Sequence, residues 1–162
     1  MQHNNIPIYQ KDDFNKMREA GKLAANVLDQ LYELIQTGIS TLEINDFCHD
    51  IIIKHKAIPA PLNYKGFPKS ICTSVNHVVC HGIPSEKKLL KNGDIVNVDV
   101  TVILDGWYGD SSRMFVAGKT NKKNINLLKT TYECLKLGIE EAKPGKHLGD
   151  IGFKIQEYAE SK

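Results

Sequence analysis

Between Ile95 and Leu104 apolar residues alternate with a polar-centred set, and the run ends on Asp105-Gly106. Val96, Val98, Val100, Val102 and Leu104 hold the even positions, while Asn97, Asp99 and Thr101 stand on the odd ones between Ile95 and Ile103. A period of two over this length is a strand with one apolar and one polar-centred face. Asp-Gly supplies the two positive-φ positions of a type I′ turn, so a second strand from Trp107 to about Phe115 is predicted to fold back on the first. A two-residue loop then sets the register: Leu104 opposes Trp107, Thr101 opposes Asp110 and Asp99 opposes Ser112. Asp99 and Asp110 become diagonal neighbours on one face, with Cα atoms roughly 7–8 Å apart. Two converging carboxylates can close that span around ions roughly 3.5–4 Å from each other. Left bare, they would repel and be costly to desolvate, so a cation is expected between them. The alternative is that Asp110 caps the turn and that Ser112 and Thr101 satisfy Asp99.

The remaining sequence frames this hairpin. At 162 residues, 41% hydrophobic and 25% charged, the chain suits one globular domain with a core. A net charge of +2, with lysines spread along the chain, argues against nucleic-acid binding. The opening MQHNNIPIYQKDDF has no basic n-region or apolar h-region, and no stretch approaches the ~18 apolar residues of a membrane span. A cytoplasmic, non-exported protein is the expectation. The cysteines at 48, 72, 80 and 134 form no C-x-x-C pair, which excludes a zinc ribbon or redox dithiol and reads as reduced thiols.

Helical spacing places a first helix from Asp12 or Asp13 to a stop at Gly38, with Phe14, Met17, Leu31 and their partners on the apolar stripe. Ser40 or Thr41 opens a second helix to about Lys56, since S-T-L-E offers a capping box to Glu43. His49 and His55, six residues apart on that helix, are read as surface or rim histidines. Pro59 and Pro61 make Ile58 to Tyr64 an edge or extended connection. Ser74 to Pro84 reads as a short strand ending in a Gly-Ile-Pro turn, with His81 at the strand end. Ala117 to Asn124 is a polar connector, followed by helices from about Ile125 to Ala142 and from about Leu148 onward.

Four motifs in order, NYKGFPKSIC, VNHVVCHGIPS, IVNVDVTV and DGWYGDSSRMF, resemble the first half of a type I methionine aminopeptidase. The resemblance runs from the first helix to Lys162. It implies an α+β pita-bread fold, two pseudo-symmetric αβ halves with a dinuclear metal site between them. It also implies metal-dependent removal of N-terminal methionine, with cobalt, manganese, iron or zinc as the divalent ions. By the resemblance, Asp99 binds one metal and Asp110 bridges two, and His81 contacts substrate near the scissile bond without being a ligand. Tyr64, Phe67 and Cys72 line the methionine pocket, and backbone carbonyls of Asn76 and Val78 hold a monovalent cation. Phe67 stands where the family often has Tyr. Aromatic rims and soft sulfur suit an unbranched thioether, although the three residues could equally fill core, and His81 could be a core histidine. Nascent chains are the implied substrate, with the ribosome as a partner, no membrane or nucleic-acid specificity, and a monomer at full length.

Gly38 and Gly145 stand 107 residues apart, each between two helices, and Glu43-Ile44 falls on Asp150-Ile151 at the same offset. This repeat predicts a duplicated αβ domain over 1–162, with the first half at 1–118 and the helices of a truncated second half at 119–162. A histidine and two glutamates that complete the family's metal site cannot be assigned here. The expectation is an incomplete site, inactive alone, with Ile151 and Ile155 exposed. Prolidase relatives, an inactive fragment and a non-catalytic pita-bread binding module are the competing readings.

Overall fold

A computed structural model describes residues 7–162; the reading of the first six residues as free of a leader lies outside the described residues. The described residues form α1 (Lys11–Leu34), α2 (Thr41–Lys54), β1 (Ile58–Pro59), β2 (Cys72–Val75), β3 (Ile95–Leu104), β4 (Trp107–Val116), α3 (Lys122–Glu141) and α4 (Leu148–Glu160). They fall into two compact units, one ending at Lys119 and the other Thr120–Lys162.

In the first unit the β3–β4 hairpin has the predicted register, with Leu104 opposite Trp107, Thr101 opposite Asp110 and Asp99 opposite Ser112. Asp105 and Gly106 both take positive φ, at 49° and 84°, as a type I′ turn demands. Since β4 pairs with β3 along its whole length, β1 and β2 share the opposite edge, Pro59 against Val102 and Cys72 against Asp99. All these pairings are antiparallel.

Val96, Val98, Val100 and Val102 are fully buried, as are Ala24, Val27, Leu28 and Leu31 of α1. Each such valine or leucine side chain contributes about 1.5–3 kcal/mol on burial. Gly109, opposite Val102, marks how closely α1 lies on this face, because a Cβ there would run into the Ala20 backbone carbonyl. Arg113 reaches from the same face to Asp29 at 2.6 Å, and Phe115 meets Tyr32 edge-on at 5.3 Å.

Several sequence-based boundaries move. The N-cap of α1 is Gln10, whose N–H donates to Asp13 at 2.9 Å, so Asp13 serves as an N3 acceptor and not as the cap. Phe14 and Met17 are exposed, 46% and 41%, and the helix buries side chains only from Ala20 onward. The helix also ends at Leu34, four residues before Gly38. At α2 the capping box is realised: Glu43 N–H donates to Ser40 Oγ at 3.1 Å, and Ser40 N–H to the Glu43 carboxylate at 2.8 Å. β1 is a short edge strand, as its prolines require.

In the second unit, α3 begins at Lys122, ahead of the predicted Ile125, because Asn121 caps it by accepting from Asn124 N–H at 2.9 Å. Pro144-Gly145 turns the chain into α4. Ile151 and Ile155 are half-buried, contrary to the expected exposure. They pack over Gly138 of α3, where an added Cβ would stand 3.0 Å from Ile155 and 3.4 Å from Ile151. The capping pattern recurs at the repeat offset, since His147 N–H donates to Asp150 at 2.9 Å just as Ser40 does to Glu43. Gly38 and Gly145 likewise share positive φ, 96° and 86°. No helix among the described residues is long and apolar enough to cross a membrane.

Candidate metal centre

The face of β3–β4 away from α1 carries Asn97, Asp99 and Thr101 on one strand and Asp110 and Ser112 on the other. Its polar pairings are not those of the alternative in which Ser112 and Thr101 satisfy Asp99. Thr101 Oγ1 donates to Asp110 at 3.0 Å, and Asn97 donates to Ser112 at 3.3 Å. Ser112 and Thr101 are thereby occupied, and among the described residues no hydrogen bond reaches the Asp99 carboxylate. Asp110 bonds across the strands and does not cap the turn.

Burial raises the Asp99 carboxyl above its ordinary value, the Asp110 charge raises it further, and only His81 pulls it down. Cys72, buried and paired with Asp99 across β2–β3, has its thiol pushed up to about 11 by burial and then by Asp99, Cys80 and Asp110. Two carboxylates, one of them half-buried and without a partner, thus project a negative field into one small region. A hard divalent cation fits that field and that oxygen donor set.

His81 lies close enough to act on Asp99, but not where the sequence reading put it. β2 ends at Val75, where Asn76 takes φ 54°, its side chain bonding Ile95 N–H at 3.1 Å and Asp94 at 2.9 Å. The chain then loops back. Gly82 accepts from Thr73 N–H at 2.8 Å and donates to Ser74 Oγ at 3.2 Å, and a side chain at Gly82 would strike the Thr73 carbonyl. His81, exposed and with φ 55°, is therefore carried by a loop docked on β2 and not by a strand end. Gly82 is the residue that sequence reasoning passed over, because its requirement is a close backbone approach that no local pattern encodes.

Tyr64 sits on a short 3-10 turn and is 64% exposed, Phe67 is half-buried, and Cys72 is buried on β2. Val78 follows Asn76 in the loop, its N–H donating to Val75 at 3.2 Å. His55 is exposed at the C-cap of α2, whereas His49 is half-buried and lies 2.8 Å from Ser70 Oγ, a rim position rather than an open surface one. No group of three or more His, Cys, Asp and Glu among the described residues could hold a metal ion.

Comparison with known proteins places this geometry in context. The model of metallopeptidase family M24 matches residues 15–162. A methionine aminopeptidase of Rickettsia prowazekii is 60% identical over 96% of this chain and 60% of its own length. The crystal structure of methionine aminopeptidase from that organism superposes with a TM-score of 0.94, covering 96% of this chain and 62% of the other. An Xaa-Pro dipeptidase from Bacillus anthracis, 19% identical, has a TM-score of 0.79 over 95% of this chain and 42% of its own and shares the fold. The chain spans about 60% of the length of the curated relatives it matches.

Proposed function

The chain belongs to metallopeptidase family M24, and we propose that it removes N-terminal methionine from nascent proteins and peptides once ligands beyond those described complete its metal site. The observation that carries this reading is the half-buried Asp99 carboxylate, without a hydrogen-bond partner among the described residues and beside the Asp110 charge. Asp99 and Asp110 would hold the divalent ions, with manganese, cobalt, iron or zinc all suited to an oxygen-rich set completed by a histidine. Bound there, the ions supply Lewis-acid activation of water and an anchor for the substrate amine.

The chain's own residues do the rest of the work assigned to this half. Thr101 fixes one oxygen of Asp110 by its hydroxyl, 3.0 Å away. His81 would hydrogen-bond around the scissile amide, positioned by the docking of Gly82 on β2. Tyr64, Phe67 and Cys72 would receive the methionine side chain, an unbranched thioether that aromatic faces and sulfur hold well. Carbonyls of Asn76 and Val78 would take a monovalent cation. A general base would come from a carboxylate outside the described residues. Nascent chains are the substrate class and the ribosome the place of encounter; the full-length protein would act as a cytoplasmic monomer.

A second reading, a pita-bread module that binds peptides without cleaving them, is favoured by the lack of a three-ligand group among the described residues. Turnover of a Met-Gly peptide with added manganese or cobalt separates the two. We expect no release by residues 1–162 and release by a version extended beyond Lys162, abolished by Asp99→Asn or Asp110→Asn. An extended version that binds peptide and metal but releases no methionine would favour the binding module.

A further inference from the structure

We infer that Asn45 and His49 are positioning residues that clasp the segment leading into Cys72, and so set the wall of the methionine pocket; the pocket part of this inference rests on the function proposed above. Between Phe67 and β2 the chain has no regular structure until Cys72, so its backbone donors need partners from elsewhere. Two of them go to one atom. Ser70 N–H and Ile71 N–H both donate to Asn45 Oδ1, at 2.9 and 3.3 Å. The Asn45 amide nitrogen in turn donates to Asp46 at 2.9 Å, which fixes the oxygen toward the segment. Ser70, only 2% exposed, shares its hydroxyl with His49 Nδ1 at 2.8 Å.

Asn45 and His49 are one turn apart and therefore on one face of α2. That helix is itself immobilised: Ile44, Cys48 and Ile52 are fully buried, and Thr41 exchanges hydrogen bonds with the Ser85 backbone at 3.1 and 2.9 Å. The clasp thus ties a rigid core helix to the residue two positions before Cys72, which pairs with Asp99. A helix that only filled core would need neither an amide nor an imidazole there, since burying polar groups is favourable only when their bonds are made.

Buried cysteines provide the probes. Cys72 reports the clasped segment, Cys48 the core of the same unit and Cys134 the second unit. Alkylation by iodoacetamide at fixed pH, followed residue by residue by mass spectrometry on the 162-residue chain, should accelerate at Cys72 by roughly fivefold in His49→Ala and Asn45→Ala, the local opening that loss of a hydrogen bond permits. Cys48 and Cys134 should be unchanged, and His49→Asn, which keeps a polar atom toward Ser70, should restore slow reaction at Cys72. A parallel rise at Cys48, or no rise at Cys72, would overturn the clasp. In the extended version the same alanine variants should raise KM for Met-Gly peptides more than they lower kcat. A local Cys72 effect in an extended chain that cleaves no peptide would leave the clasp standing and sink the proposed function; turnover with unchanged KM would sink the link to the pocket.

Discussion

Asp99 bears an electrostatic cost that His81 only partly relieves. Its carboxyl is raised by burial first and by Asp110 second, so the folded chain binds a proton more readily than the unfolded one. For a raised carboxyl the favourable contribution is complete below the unfolded value, about 3.9, and is lost as pH climbs through the folded value. Asp99→Asn should therefore stabilise the metal-free chain near neutral pH, with the gain shrinking in acid; thermal melts between pH 4 and 8 check the sign. Calorimetric titration with manganese should show the opposite ranking for function, the same variant losing affinity. Gly109 makes a purely steric demand on the other face. Gly109→Ala should cost on the order of 3 kcal/mol, the upper range for overpacking, because its Cβ meets the Ala20 backbone carbonyl and not a side chain that can swing away. Urea denaturation of the two proteins measures it.

Among the elements, the hairpin and α2 carry the most local information. Both turn residues take positive φ, and the ten-residue strands pair without interruption, so the register is fixed from the turn outward and every side chain's face with it. The α2 cap is similarly self-contained: Ser40→Ala should lower stability by about 1 kcal/mol, read as a shift in the urea midpoint at unchanged slope. β2 shows the limit of such reasoning. Strand-forming residues resume at Val78 and Val79 after Asn76-His77, yet the strand stops at Val75 because the Asn76 side chain bonds the β3 backbone and its φ turns positive. Alternation alone could not reveal that turn, and His81 consequently moves from strand end to loop.

For the whole molecule, each unit has a different balance of core and surface. The first buries a continuous cluster from α1, α2 and the sheet. The second is a helix hairpin with Cys134 and Gly138 as its buried residues, and Leu148, Phe153 and Ile139 are 87%, 67% and 64% exposed. Exposed apolar side chains on a small helix pair favour association. Residues 1–162 alone should therefore sediment as dimers or larger species, and Ile139→Lys with Phe153→Lys should shift the population toward monomer in analytical ultracentrifugation. A chain that sediments as a monomer before substitution would count against this reading of the α3–α4 surface.

Short-range chemistry made much of this protein readable in advance. The Asp-Gly turn, the period-two strand and the S-T-L-E cap each depend on residues within a few positions of one another, so the hairpin register, the shared face of Asp99 and Asp110 and the start of α2 followed from the sequence. The duplicated helix pairs were legible for the same reason, through matching glycines and caps. What required three dimensions was every choice among competing partners. Thr101 serves Asp110 and not Asp99, Gly82 docks on Thr73, and His49 turns inward to Ser70. The first joins residues that the hairpin register already opposes, with only the choice of side-chain partner left open, whereas the other two join residues whose separation along the chain carries no pattern, and only packing of the intervening elements brings them within reach.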